Sequence, residues 1–312
     1  MVRPGLARVI VAIALIASGV IYAQVQPNQL LVFVSAVDGN GAPLTDLKPE
    51  EIAMTENGMP GKVASLDRFN LPIKLTVAVD NGANSQVALG ALREGLTGLV
   101  QALPADVEVT VITMVQPQTV VRPTTDRAQI TQGISRIAGE SRAVAKFSET
   151  IVEYVNRVDK DFKDKKPLYA PMLVLVSTPT PELETVQPET INKGLTTLLS
   201  RGGRVSAIMV STTPTNVTSV TDLTQGRQAI IGAQMAKASG GKFETMVAFS
   251  GLATLLPQWG KEIAAAHTKQ TNQFRVVIDR PGGATGPLNN LGMRITRPGA
   301  NGSVSADGRF VQ

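Results

Sequence analysis

Lys74-Leu75-Thr76-Val77-Ala78-Val79-Asp80-Asn81-Gly82-Ala83-Asn84-Ser85 is the stretch that decides the fold. Its first six residues form a nearly continuous apolar strand of the kind buried on both faces. An acid closes the strand, and small or polar residues stand at +2 and +4. Leu89, Leu92, Leu96, Leu99 and Leu103 then recur at 3-4-3-4 spacing, which predicts one buried face of a helix. Strand, polar turn and amphipathic helix open a β-α alternating domain.

The alternation continues to about Lys269. Val107–Met114, Thr119–Arg122, Met172–Val176, Val205–Val210 and Lys242–Met246 read as strands. Between them, helical spacing appears in Ile130, Ile134 and Ile137, in Ile151, Val155, Val158 and Phe162, and in Ile191, Leu195 and Leu198. A helix over Arg227–Ala238 stops at Gly240-Gly241, and a last one covers Ser250–Ala266. The pattern predicts a doubly wound, mostly parallel α/β sheet of about six strands.

Both ends of the chain are richer in β signal. Leu31, Phe33, Ala36 and Val37 precede the turn cluster Asp38-Gly39-Asn40-Gly41. Ile52–Thr55 precedes Asn57-Gly58, a strong hairpin signal, and Lys62–Phe69 follows. Phe274–Ile278, Met293–Thr296 and Ser303–Val311 form the corresponding set near the C-terminus. Short hairpins are marginal alone in water, so the two tails are expected to pair into one small β module. The expected divisions are an export signal over 1–23, the β module over 24–72 and 271–312, and the α/β domain over 73–270.

Composition limits the chemistry. The chain has 312 residues, no Cys and one His, which removes disulfides, thiol nucleophiles, zinc ribbons and multi-His metal sites. Lys+Arg number 30 against 25 Asp+Glu, for a net charge of +5. Lys160, Lys163, Lys165 and Lys166 alternate with Asp159, Asp161 and Asp164. No basic stripe with interleaved aromatics tracks a phosphate backbone, and nucleic acid is not an expected partner.

Met1–Arg8 carries two arginines and no acid, Val9–Ile16 is unbroken apolar sequence, and Ile21-Tyr22-Ala23 suits cleavage after Ala23. The run from Val9 to Ala23 is shorter than the ~20 residues of a spanning helix. The expectation is a cleaved signal, no stable membrane span afterwards, and a periplasmic or secreted chain.

In an open α/β sheet, ligands bind beyond the carboxyl ends of the strands where strand order reverses. Asp80-Asn81-Gly82-Ala83-Asn84 occupies such an end, and here the sequence resembles the von Willebrand factor A family, whose metal-ion-dependent adhesion site begins Asp-x-Ser-x-Ser. It looks most like the exported bacterial "VWFA-related" subgroup found in Acidobacteria. Val37-Asp38-Gly39, Leu44-Thr45-Asp46-Leu47, Glu56-Asn57-Gly58 and Ser305-Ala306-Asp307-Gly308-Arg309-Phe310 match that subgroup in order along the chain. The resemblance implies a protein-binding domain whose metal recruits a carboxylate of the ligand.

The departures from the motif fall on the metal ligands. Asp80 keeps the first acid, but the two Ser positions become Gly82 and Asn84. The loop carrying the family's Thr reads Gly139-Glu140-Ser141-Arg142-Ala143-Val144-Ala145-Lys146, with Ser141 or Ser148 as substitutes. Thr178, after Ser177, stands where the second Asp would be. One carboxylate, one amide and a hydroxyl make a poor octahedral cage for Mg²⁺, so no cofactor is expected. Asp80, Asn84, Ser177 and Thr178 remain as candidates for a polar ligand-binding rim. Alternatively, Asp80 and Asn84 cap the first helix and its turn.

His267 reads as a residue of a helix C-terminus, and Glu149 and Glu153 as solvated. Pro281-Gly282-Gly283-Ala284-Thr285-Gly286-Pro287 has the glycines of a phosphate loop without its Lys-Ser/Thr. The expected function is non-enzymatic binding of an unidentified protein or envelope ligand through the loops above the sheet. The alternatives are a hydrolase-like enzyme using Asp80 in the same crevice, and a structural envelope component.

Overall fold

The computed structural model describes residues 25–164, 168–179, 186–210, 226–288 and 290–310. The expected export signal, Lys165 and Lys166, and Val311 at the end of the last expected strand lie outside them. The chain divides into two compact units, one formed by residues 1–71 and 266–312, the other by 72–265.

The larger unit is built on β4 (Ile73–Val79), β5 (Glu108–Thr113), β6 (Gln118–Thr124), β7 (Ala170–Ser177), β8 (Arg204–Val210) and β9 (Phe243–Met246), in the order β6-β5-β4-β7-β8-β9. Only β6, an edge strand, runs antiparallel. The order is that of a doubly wound sheet, and its direction reverses between β4 and β7. All eight residues of β7 are buried, as expected for a central parallel strand covered on both faces.

Helices α1 (Leu89–Ala102), α2 (Arg127–Ser135), α3 (Phe147–Lys163), α4 (Pro188–Ser200) and α5 (Arg227–Ser239) follow the strands, and α6 (Leu252–Thr271) carries the chain across the division between units. The spacing read in the sequence sets their buried faces. Ile151, Tyr154, Val155 and Val158 of α3, Ile191 and Leu198 of α4, and Ile231 and Met235 of α5 form one core with Ala78, Leu173, Leu175, Ala207 and Met209 of the sheet. Leu92, Leu96 and Leu99 are buried along α1. Helix α5 stops at Gly240, whose φ of 69° supplies the left-handed cap.

The smaller unit holds a second sheet, β11-β2-β3-β10-β1-β12, from β1 (Gln29–Val37), β2 (Ile52–Glu56), β3 (Met59–Phe69), β10 (Gln273–Asp279), β11 (Leu291–Ile295) and β12 (Asn301–Ser305). Strand β1 pairs with both β10 and β12, so N- and C-terminal segments interleave. The edge strands approach each other where Gly302 meets Met293 and Ile295, which curls the sheet around Val32, Val34, Met54, Phe274 and Val276. Asn57 (φ 51°) and Gly58 (φ 80°) make the two-residue turn between β2 and β3. Strand β12 ends earlier than the sequence predicts. Asp307 accepts from the Arg309 N–H at 2.9 Å and from the Ser305 hydroxyl at 2.8 Å, and Gly308 turns the chain with φ 78°.

Ion pairs join the two segments of this unit. Arg280 pairs with Glu56, both largely buried. Arg297 grips Glu51 through two bonds of 2.7 Å and reaches Asp46 at 2.8 Å. The Arg297 guanidinium holds the Glu51 carboxyl down at about 2 and lowers that of Asp46 as well.

Candidate functional site

The end of β4 and the end of β7 lie side by side, since Val79 pairs with Val176 and the Asp80 N–H donates to the Val176 carbonyl at 2.8 Å. This brings Asp80, Ser177 and Thr178 together at the point where strand order reverses. Asp80 is 3% exposed and Thr178 2%. Each carboxylate oxygen of Asp80 accepts from the chain itself. Oδ1 receives the Gly82 N–H at 2.7 Å. Oδ2 receives the Thr178 hydroxyl at 2.5 Å and the Thr178 N–H at 3.2 Å. Ser177 is buried as well, its hydroxyl 3.5 Å from the Thr178 carbonyl.

The turn after Asp80 is tightly packed. A side chain at Gly82 would place Cβ 2.8 Å from the Ala143 carbonyl and 3.1 Å from Oδ1 of Asp80, so a hydroxyl-bearing residue has no room there. The Ala83 N–H donates to the same Ala143 carbonyl at 3.0 Å. Residues 83–88 form a 3-10 helix ahead of α1. Its N-cap is Gly82, and that of α1 is Ala88, without a side-chain cap at either. Neither Asp80 nor Asn84 caps α1, because the 3-10 segment moves the helix start away from them, but Asp80 does close the turn through its bond from the Gly82 N–H. Asn84 is exposed on that segment, apart from the three buried candidates.

Asn81, passed over in the sequence, links three loops. Its Nδ2 donates to the Ala138 carbonyl at 3.0 Å, its Oδ1 accepts from Val115 N–H at 3.3 Å, and its own carbonyl accepts from Glu140 N–H at 2.7 Å. Gln86, with its amide oxygen turned inward, accepts from the N–H groups of Glu140 and Ser141 at 3.2 and 3.0 Å. Nothing in the local pattern singles out Asn81, since a strand-end Asp draws attention to alternate positions and Asn81 lies between them. Ser85 is buried, and its hydroxyl has no hydrogen-bond partner among the described residues.

These donors do not fit Mg²⁺. Both Asp80 oxygens are engaged, Gly82 offers no oxygen from a side chain, and the Thr178 hydroxyl points its proton at the carboxylate that would have to bind the ion. Among the described residues there is no group of three or more His, Asp or Glu that could hold a metal. His267 is buried within α6, in the smaller unit. The glycine loop near Pro281 is a short 3-10 turn with Gly282 and Gly283 at φ of 61° and 71°.

The loops at the carboxyl edge of the sheet expose apolar side chains. Val87, beside Gln86, is 84% exposed; Val144, in the loop that Asn81 and Gln86 hold, is 39% exposed; Val247, just beyond β9, is 74% exposed.

No protein-family model matches the chain, and no curated protein matches it in sequence. Among solved structures it is similar to a von Willebrand factor type A protein from Catenulispora acidiphila, with 8% identity over 91% of this chain and 77% of that one, at a TM-score of 0.48. It is also similar to proximal thread matrix protein 1 from the mussel byssus, with 15% identity over 64% of this chain and a TM-score of 0.47; the match spans 49% of that protein. Human COPII-coat protein Sec24c is similar over 63% of this chain and 33% of its own length, with 14% identity and a TM-score of 0.45.

Proposed function

We propose that this chain is an exported, non-enzymatic binding protein that engages a protein partner through the loops at the carboxyl edge of its parallel sheet, without a metal. The observation that carries this reading is the reversal of polarity at that edge. The acid and hydroxyls that could have held an ion are buried and bonded to one another, whereas Val87, Val144 and Val247 face solvent. Contiguous apolar patches on a surface mark interaction sites, and this reading takes Val87 and Val144 to be part of one. In this reading Asp80, Ser177 and Thr178 are positioning residues that tie the ends of β4 and β7 together, and Asn84 is an exposed polar contact on the rim. An Asp80-based hydrolase is disfavoured, because a general base must reach the proton it takes and Asp80 is closed off by Gly82 and Thr178. Export rests on the Met1–Ala23 pattern.

The test is capture of envelope proteins on the immobilised chain. Val87→Asp combined with Val144→Asp alters exposed side chains only, so folding is preserved. The partner bound by wild type is expected to be lost from this variant and retained by wild type in EDTA. A partner held equally by both chains, or released by EDTA, would falsify the reading.

A further inference from the structure

We propose that the groove between α3 and the start of α4 receives a single lysine or arginine side chain carried on an extended segment of a protein partner. The groove is shallow and open to solvent, with a volume of about 360 Å³. That lies near the lower end of ligand-sized pockets, roughly 300 Å³ upward, and leaves room for one long side chain together with part of the backbone that carries it.

Its apolar wall is Val152 and Val186, both partly buried against the core beneath. Such a wall accommodates the methylene stem of a basic residue while the charged head stays at the surface. Glu149 and Glu153 stand one helical turn apart beside it. Glu149 has local duties: it lies in the first turn of α3, where an acid offsets the helix dipole, and it pairs with Lys146 at 3.1 Å. Glu153 lies a turn further on, exposed, with no ion-pair partner among the described residues. It is the carboxylate left to receive a cation. Asn156 and Gln187 complete the walls, and the Gln187 side chain makes no capping bond to α4. Their amides both donate and accept, which matches a peptide backbone; a free amine offers donors alone. The groove therefore selects a basic side chain attached to a peptide. The valine rim is made by other residues, and the groove stands or falls without it.

The experiment is an NMR titration of the full chain with three ligands. These are an acetylated, amidated Ser-Ala-Lys-Ala-Ser peptide, its norleucine counterpart, and n-butylammonium, which has the head and stem without the backbone. The lysine peptide is expected to give saturable shifts at Val152, Glu153 and Gln187. Norleucine should give none, and n-butylammonium should bind more weakly. Glu153→Gln, a substitution of an exposed side chain, should weaken the lysine peptide by about two- to fivefold, the scale of one exposed ion pair. Equal binding of lysine and norleucine peptides, n-butylammonium binding as tightly as the peptide, or Glu153→Gln binding unchanged would each overturn the proposal.

Discussion

The Thr178 hydroxyl lies 2.5 Å from Oδ2 of Asp80, a residue 98 positions earlier in the chain. That contact engages the acid at the point where an open α/β sheet ordinarily receives its ligand, and it makes Asp80 a structural tie between β4 and β7.

Thr178→Val keeps the shape and removes the donor. Hydrogen bonds to charged groups contribute about 1.5–3 kcal/mol, and Asp80 retains its bonds to the two backbone N–H groups. Urea unfolding should show a loss of about 2 kcal/mol with unchanged far-UV circular dichroism. A loss of less than about 0.5 kcal/mol would mean the bond contributes little to stability.

Gly82→Ser tests whether the missing hydroxyl can be restored. The new Cβ would sit 2.8 Å from the Ala143 carbonyl, and such overpacking costs typically 1–3 kcal/mol. The variant should melt at lower temperature than wild type, with no recovery on adding millimolar Mg²⁺. Recovery by Mg²⁺ would show that the loop yields and a metal site forms.

Asn81→Ala removes the amide that joins the Val115 N–H and the Ala138 carbonyl. Leaving such buried groups unpaired costs about 1–3 kcal/mol. The local consequence is loosening of the carboxyl-edge loops, so amide hydrogen exchange should accelerate at Val115 and Glu140 while β8 stays protected. Uniform acceleration across the sheet would place the effect on global stability instead.

The fold was readable where one period dominated. The Leu92, Leu96 and Leu99 spacing, the apolar run through β4 and the Asn57-Gly58 turn are local signals, and their elements appear at those positions. The site was less legible. Side-chain type marked Asp80 and Thr178, but their burial and mutual bond depend on the register of β4 with β7, a long-range fact. Asn81 carries no local pattern at all. The early end of β12 follows from the Asp307-Gly308 turn, which an alternating pattern over Ser303–Val311 does not reveal.

In the smaller unit, Arg297 lowers the carboxyl of Glu51 from its usual 4.5 to about 2. A depressed carboxylate contributes stability that is present above its unfolded value and lost as pH falls through its folded one. Melting of this unit should therefore weaken between about pH 4.5 and pH 2. Arg297→Gln should flatten that dependence, measured by tryptophan-independent probes such as amide exchange in β2 and β11. An identical acid profile for both chains would remove Arg297 from the account.

The most direct test of the central claim is a titration of the full chain with Mg²⁺ and Mn²⁺, followed calorimetrically and by amide shifts at Asp80, Gly82 and Thr178. The closed Asp80–Thr178 contact predicts no saturable heat and no localised shifts at millimolar ion. Tight one-to-one binding with shifts at those three residues, abolished by Asp80→Asn, would contradict it.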